Sequence, residues 1–248
     1  MIDYKEINKV AKENYTHYDQ PEDKWHTQVE KVLFPTVCKA IKKYTSKNSV
    51  ILNAGSGGED YPSDGKMIQL DICEENIKYF ENHIVASVEE IPLDDKSVDM
   101  IICVGSVLNY VDAVKTIQEF HRILRENGTL LLEFERSDSA DFKGTNKHHA
   151  DMCEATYEYN NQEHKMVMYG EKYIESKLKE LGFNIKRKKR FHILSTKMCQ
   201  LGMDEEKAAK FRKLDWLFPF FSYSCAHNVI ICVQKTFPRG ELKWRKDY

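Results

Sequence analysis

Val50-Ile51-Leu52-Asn53-Ala54-Gly55-Ser56-Gly57-Gly58-Glu59-Asp60, with its sequel Met67-Ile68-Gln69-Leu70-Asp71, decides how this chain of 248 residues folds. Large apolar residues running straight into a glycine cluster read as a strand buried on both faces, then a tight turn. At Gly55 and Gly57 no side chain stands between the backbone and whatever sits against it. The second apolar run ends in a carboxylate. In a parallel sheet, Asp71 would stand at the tip of the neighbouring strand, in reach of a ribose held over the glycine turn.

The nature of that nucleotide follows partly by elimination. A dinucleotide fingerprint needs a third glycine at position 60, where Asp60 would face a pyrophosphate. No Gly-Lys-Ser/Thr follows, so a P-loop fails as well. A ligand with a ribose and no phosphate remains. The stretch resembles motif I of the class I S-adenosylmethionine-dependent methyltransferases, an apolar strand ending Asp/Asn-x-Gly-x-Gly, here Leu52-Asn53-Ala54-Gly55-Ser56-Gly57. Asp71 matches that family's ribose-binding acid. The resemblance extends over about a hundred residues. Ser87-Val88-Glu89-Glu90-Ile91-Pro92 through Asp99 looks like the segment that leads from the adenine loop into strand four. Met100 to Val111 matches that strand and its loop, and Phe120 to Leu132 matches the next helix, glycine turn and fifth strand.

The resemblance implies a Rossmann-like α/β fold: a seven-stranded, mostly parallel sheet with an antiparallel last strand, flanked by helices. It also implies a single methyltransferase domain over 1–248, with an N-terminal helical lid (1–48), a cofactor-binding half (49–136) and substrate-side inserts at 137–170 and 202–222. The cofactor would be S-adenosyl-L-methionine, leaving S-adenosyl-L-homocysteine. Gly55, Ser56 and Gly57 would meet its methionine and ribose, Asp71 the ribose hydroxyls, Ile72, Ser87 and Val88 the adenine, and Val104 and Gly105 the amino-acid end. Asn109 follows strand four at the end where open α/β sheets place ligands, and joins the expected cofactor contacts; Tyr110 is expected on the substrate side.

Two features depart from the family pattern. Ser87 stands where an acidic residue is usual. Asp71 follows Gly55 by 71 − 55 = 16 positions, and Tyr61-Pro62-Ser63-Asp64-Gly65 between them is turn chemistry, so the first crossover helix is a turn or two at most.

Composition narrows the class. A net charge of −2 gives no general pull towards nucleic acid or anionic membrane, and no apolar run is long enough for a membrane span. Met1-Ile2-Asp3-Tyr4-Lys5 lacks the form of a signal peptide, so a cytoplasmic address is expected. The seven cysteines form no C-x-x-C pair and read as small hydrophobes in a reducing compartment; no metal is expected.

In chain order, residues up to about 48 read as helical, with Pro35 kinking the run or starting a second helix. Asn14 to His26 is rich in aromatic and polar groups. Tyr18, in a Tyr-Asp pair that the family often places over the cofactor, is an expected cofactor contact. Tyr15, Trp25 and His26 join it as lid residues, Trp25 and His26 on the substrate side, with plain aromatic packing as the alternative. Asp112 caps a helix ended by Asn127-Gly128. Its His121 reads as a packed histidine.

Glu135, at the tip of strand five, is either a catalytic carboxylate or a solvated charge paired with Arg136. Residues 137–170 carry little periodicity. There His149 is a candidate general base and His148 a candidate substrate contact, against exposed loop histidines as the alternative. Glu171 to Leu181 is an amphipathic helix and Phe183 to Ser195 strand six. Its Lys186-Arg187-Lys188-Lys189-Arg190 raises an RNA-binding reading against a solvated edge. Residues 202–222 form a helical insert, and Ala226 to Lys235 closes the sheet.

The reading is methyl transfer to an O or N atom of a small-molecule acceptor, by in-line displacement. The alternatives are an RNA or protein methyltransferase using 186–190, or a non-catalytic homologue that binds the cofactor. Neither nucleic acid nor membrane is expected as a partner, and the oligomeric state is open.

Overall fold

The computed structural model describes residues 2–16, 24–159, 162–217 and 222–236. Two helices, α1 (Tyr4–Thr16) and α2 (Lys24–Tyr44), precede β1 (Val50–Ala54). Then follow β2 (Lys66–Asp71), the single turn α3 (Glu74–Ile77), β3 (His83–Val85), β4 (Val98–Cys103), α4 (Ala113–Ile123) and β5 (Leu124–Glu135). A hairpin, β6 (Met152–Tyr159) and β7 (Gln162–Tyr169), leads to α5 (Glu171–Glu180) and β8 (Phe183–Phe191). Short helices α6 (Leu194–Gln200), α7 (Glu205–Ala209) and α8 (Ser222–Cys225) then lead to β9 (Asn228–Lys235).

Seven strands form one sheet in the order β3-β2-β1-β4-β5-β9-β8. The pairs from β3 to β5 are parallel, and β9 runs antiparallel to both its neighbours. This is the mostly parallel, Rossmann-like sheet with an antiparallel last strand. Connections leave β1 in opposite directions, which opens a crevice at the carboxyl ends of β1 and β4.

Both faces of the sheet are buried, so successive residues of each central strand join different cores. Leu52, Ile101, Leu130 and Leu132 pack with Ile117 and Phe120 of α4 and Leu178 of α5. Ile51, Met100, Ile102 and Leu131 pack with Val37 and Ile41 of α2. Among the described residues, no helix is long and apolar enough to cross a membrane.

Five local expectations are corrected. No helix at all connects β1 to β2. Of the two expectations for Pro35, the start of a second helix is the one excluded, because Pro35 sits inside α2. Helix α4 begins at the Asp112 cap, whose carboxylate accepts from Val114 N and Lys115 N, but stops at Ile123, short of Asn127-Gly128. Strand β8 ends at Phe191, and residues 194–200 are helical. The segment 137–170, with its weak periodicity, holds the β6–β7 hairpin, whose Ala155, Met166 and Met168 make a small core with Phe142.

Acidic partners hold part of the basic run. Lys188 pairs with Glu171 at 2.6 Å and also with Glu175, and Arg190 meets Glu171 at 2.6 Å. His121 lies edge-on to Phe183 at 5.5 Å, as a packed histidine should.

Candidate active site

The crevice is a cavity of about 910 Å³ that reaches from the glycine turn to the hairpin. At one end, the turn after β1 is tied to the tip of β2: Gly55 N and Ser56 N donate to Leu70 O at 2.8 and 3.0 Å. Asp71 accepts from Gly57 N at 2.8 Å and from Cys73 N at 2.9 Å, which aims its carboxylate under the turn. Burial raises the Asp71 pKa, although the Cys73, Gly57 and Ile72 amides oppose the rise.

The two motif glycines serve different needs. Gly55, at φ +70°, would put a Cβ 2.5 Å from a methyl of Val107; Gly57, at φ +56°, would meet nothing within 4 Å. Close packing therefore requires the first, while the second faces open space.

Across the crevice, Gly105 (φ +80°) and Ser106 (φ +61°) leave β4 in left-handed conformations. Glu133, fully buried on β5, holds that bend by accepting from Gly105 N at 3.0 Å and Ser106 N at 2.8 Å. Burial pushes Glu133 up to about 7, against the donors from Ser106, Asn228 and Gly105. Ser56, Ile72, Ser87, Val88 and Val104 also line this end.

The other end is built from side chains. His227 stands between two carboxylates: Nε2 lies 3.0 Å from Glu135 Oε2, and Nδ1 lies 2.8 Å from Asp141 Oδ2. Ser106 Oγ donates to Glu135 Oε1 at 2.9 Å, which links this cluster to the β4 bend. Ser139 Oγ donates to Asp141 Oδ2 at 2.9 Å. Burial disfavours the imidazolium of His227, yet Glu135 and Asp141 raise its pKa to about 10. Both carboxyls are lowered in turn, since the His227 charge and its hydrogen bonds outweigh their burial.

Tyr157, Met166 and His164 of the hairpin line the same end, with Tyr110 and Tyr15. The Tyr15 and Tyr110 hydroxyls lie 3.1 Å apart, and the His164 ring stands edge-on to Tyr15 at 6.0 Å. Burial lowers the His164 pKa.

Residues 53–132, the β1-to-β5 half that carries this glycine turn, match a family model described as a methyltransferase domain. Those residues carry a methyltransferase domain, and they are the part of the chain that resembles the class I S-adenosylmethionine-dependent methyltransferases. S-adenosylmethionine is the cofactor that this match supports.

The chain is 30% identical over 117 residues to an uncharacterized protein of Methanocaldococcus jannaschii, covering 44% of this chain and 52% of the relative. It therefore spans about half the length of that relative. A second uncharacterized protein of the same organism is 27% identical over 183 residues, 69% of this chain and 82% of its own.

Solved structures share the fold at low identity. The Burkholderia thailandensis 1,6-didemethyltoxoflavin-N1-methyltransferase, with 1,6-didemethyltoxoflavin and S-adenosylhomocysteine bound, aligns at TM-score 0.58 and 14% identity, over 96% of this chain and 92% of its own. A chain from a Haloferax volcanii complex of the Trm112 methyltransferase activator with a methyltransferase aligns at 0.58 and 13%, over 90% and 98%. The 4+2 cyclase SpnF aligns at 0.54 and 13%, over 82% and 81%.

The expected residues do not all meet at the cavity. Gly55, Ser56, Gly57, Asp71, Ile72, Ser87, Val88, Val104, Gly105, Tyr110 and Glu135 line it, and so does Tyr15. Asn109 does not. Its side chain is fully buried, donating to Glu135 O and Val167 O and accepting from Glu135 N, so it fastens β5 to the hairpin and leaves nothing for a cofactor.

His149 and His148 do not line the cavity either. His149 binds Asp138 at 2.6 Å and stacks on Tyr223, and His148 stacks on His149 at 3.8 Å. Arg136 does not pair with Glu135 but lies fully buried against Asp138 and Glu171. Tyr18 falls outside the described residues, as do the side chains of Trp25 and His26 and the aromatic run 218–221.

Sequence reasoning missed His227, Asp141, Tyr157 and His164. A signal existed for the last two: Cys153, Ala155, Tyr157 and Tyr159 alternate with Glu154, Thr156 and Glu158 up to Asn160-Asn161, which reads as a strand running into a hairpin turn, with His164 in the returning run. His227 and Asp141 had none, because 86 residues of chain separate them.

Proposed function

We propose that this methyltransferase transfers a methyl group to a nitrogen or oxygen of a small-molecule acceptor. The observation that carries the reading is one continuous cavity joining the glycine turn to the Glu135–His227–Asp141 cluster, walled by α1 and α2. Its volume is in the range of small-ligand sites.

The cofactor end suits a nucleoside. Gly57 and Gly105 present backbone to open space, so a bound group can approach the main chain closely. Asp71 would hold the ribose hydroxyls, Ile72, Ser87 and Val88 the adenine, and Val104 with Gly105 the amino-acid end. The cofactor supplies an activated methyl group on a sulfonium. The chain's share is then positioning, worth roughly 7–11 kcal/mol when well oriented. A small-molecule acceptor also accords with the 1,6-didemethyltoxoflavin bound in a neighbour of the same fold.

The RNA reading is weaker: Lys188 and Arg190 are already paired with carboxylates, and none of residues 186–190 lines the cavity. The binding-only reading has one supporting observation, that the cyclase SpnF shares the fold. Incubation with methyl-labelled cofactor and fractionated metabolite extract decides between them. Label should move to a small molecule; label in RNA or protein alone, or no transfer while the cofactor binds, would overturn the proposal.

A further inference from the structure

Both ring nitrogens of His227 face carboxylate oxygens at hydrogen-bond distance. A neutral imidazole has one donor and one acceptor nitrogen, so it would set a lone pair against one of those oxygens. Only the imidazolium donates on both sides. The cluster is thus two carboxylates around one cation, with a net charge of −1. Among the described residues lining the cavity, the other cation is Lys31 on α2, adjacent to Glu30. Glu135 and Asp141 each keep unused lone pairs. The buried Tyr157 hydroxyl oxygen has no hydrogen-bond partner among the described residues, although it lines the cavity.

Resting on the small-molecule reading above, we infer that the acceptor atom is a neutral nitrogen of an organic base, whose own N–H donors rest on Glu135 and Asp141. A hydroxyl or thiol acceptor must shed its proton to become a strong nucleophile, and a net negative cluster opposes a second anion beside it. His227 cannot take that proton, since it already holds two. A nitrogen needs no such loss. Its lone pair forms the new N–C bond while the carbon's bond to sulfur breaks, the bonding electrons staying on sulfur. The positive charge thereby moves from sulfur to nitrogen, where the carboxylates are placed to stabilise it. Any N–H proton of the product cation passes to solvent.

The test uses the full chain with ¹³C-methyl-labelled cofactor and metabolite extract, and reads the product carbon by NMR, where N-methyl and O-methyl resonate in separate ranges. An N-methyl product is expected. An O-methyl or S-methyl product overturns this inference and leaves the small-molecule reading standing. Label found only in macromolecules, or no transfer at all, overturns both.

A second readout needs no turnover. With S-adenosylhomocysteine bound, benzamidinium and benzoate are titrated while the His227 ring nitrogens are followed by NMR. Benzamidinium should shift them, and Asp141→Asn should weaken it about tenfold, as expected for one lost charge-assisted hydrogen bond. Tyr157→Phe serves if that variant does not fold. Benzoate binding as tightly as benzamidinium, or His227 signals that neither probe moves, overturns the assignment.

Discussion

The two ends of the cavity are made differently. The cofactor end is main chain: amides of residues 55–57, a bend at 105–106, and one carboxylate held under them. The acceptor end is side chain: a histidine between two carboxylates, bordered by tyrosines and Met166. A backbone reader recognises shape and hydrogen bonds that any S-adenosyl group presents, so it need not change with the acceptor. A charged cluster recognises sign and donor pattern, and there selectivity can reside. Ser106 joins the two, with its amide on Glu133 and its hydroxyl on Glu135.

The sharpest way to break that contrast is pH. The His227 pKa is raised from 6.5 to about 10, first against burial and then by Glu135 and Asp141. A group whose folded pKa is raised contributes fully below its unfolded value and loses that contribution as pH climbs through the folded one. The lowered carboxyls act oppositely, contributing above their ordinary range and losing it in acid. Urea unfolding should therefore show a stability loss on the order of 4 kcal/mol between about pH 6 and pH 10, absent in His227→Gln. Parallel slopes for the two proteins would mean that the cluster is not an ion triad.

A smaller effect is expected at the other end. Asp71→Ala should weaken S-adenosylhomocysteine binding by about 1–3 kcal/mol, by calorimetry, with the alkaline profile of His227 unchanged. Unaltered affinity would remove Asp71 from the ribose contact.

The smallest effect belongs outside the cavity. Lys186→Gln combined with Arg187→Gln should move stability by less than about 0.5 kcal/mol and leave RNA retention unaltered. Salt-sensitive RNA binding that this double variant abolishes would restore a macromolecular acceptor.

Legibility followed chain distance. The strand–turn–strand of 50–71 could be read because each contact in it is local: Gly57 reaches Asp71 across 14 residues, and the glycines mark where backbone is bare. The hairpin's second strand was obscured because His164 is polar where Met166 and Met168 on its face are apolar, and Met166-Val167-Met168 runs apolar without alternation. Tyr157, His164 and Met166 face the cavity, where polar side chains are as useful as apolar ones. Asn109 misled for a related reason: its place after β4 suits a ligand contact, but its carboxamide is drawn to the open backbone groups of Glu135 and Val167.

The residues alone determined the class of fold, the turn at 55–57 and the carboxylate at 71, since hydrophobic period and backbone freedom act over a few positions. Only the tertiary structure decided the acceptor end. The β5–β9 pairing sets Glu135 opposite Asn228, brings His227 beside the cavity, and lets the turn at 140–142 bring Asp141 to its second nitrogen. Long-range antiparallel register made that meeting, and no short window of sequence records which strands will lie side by side.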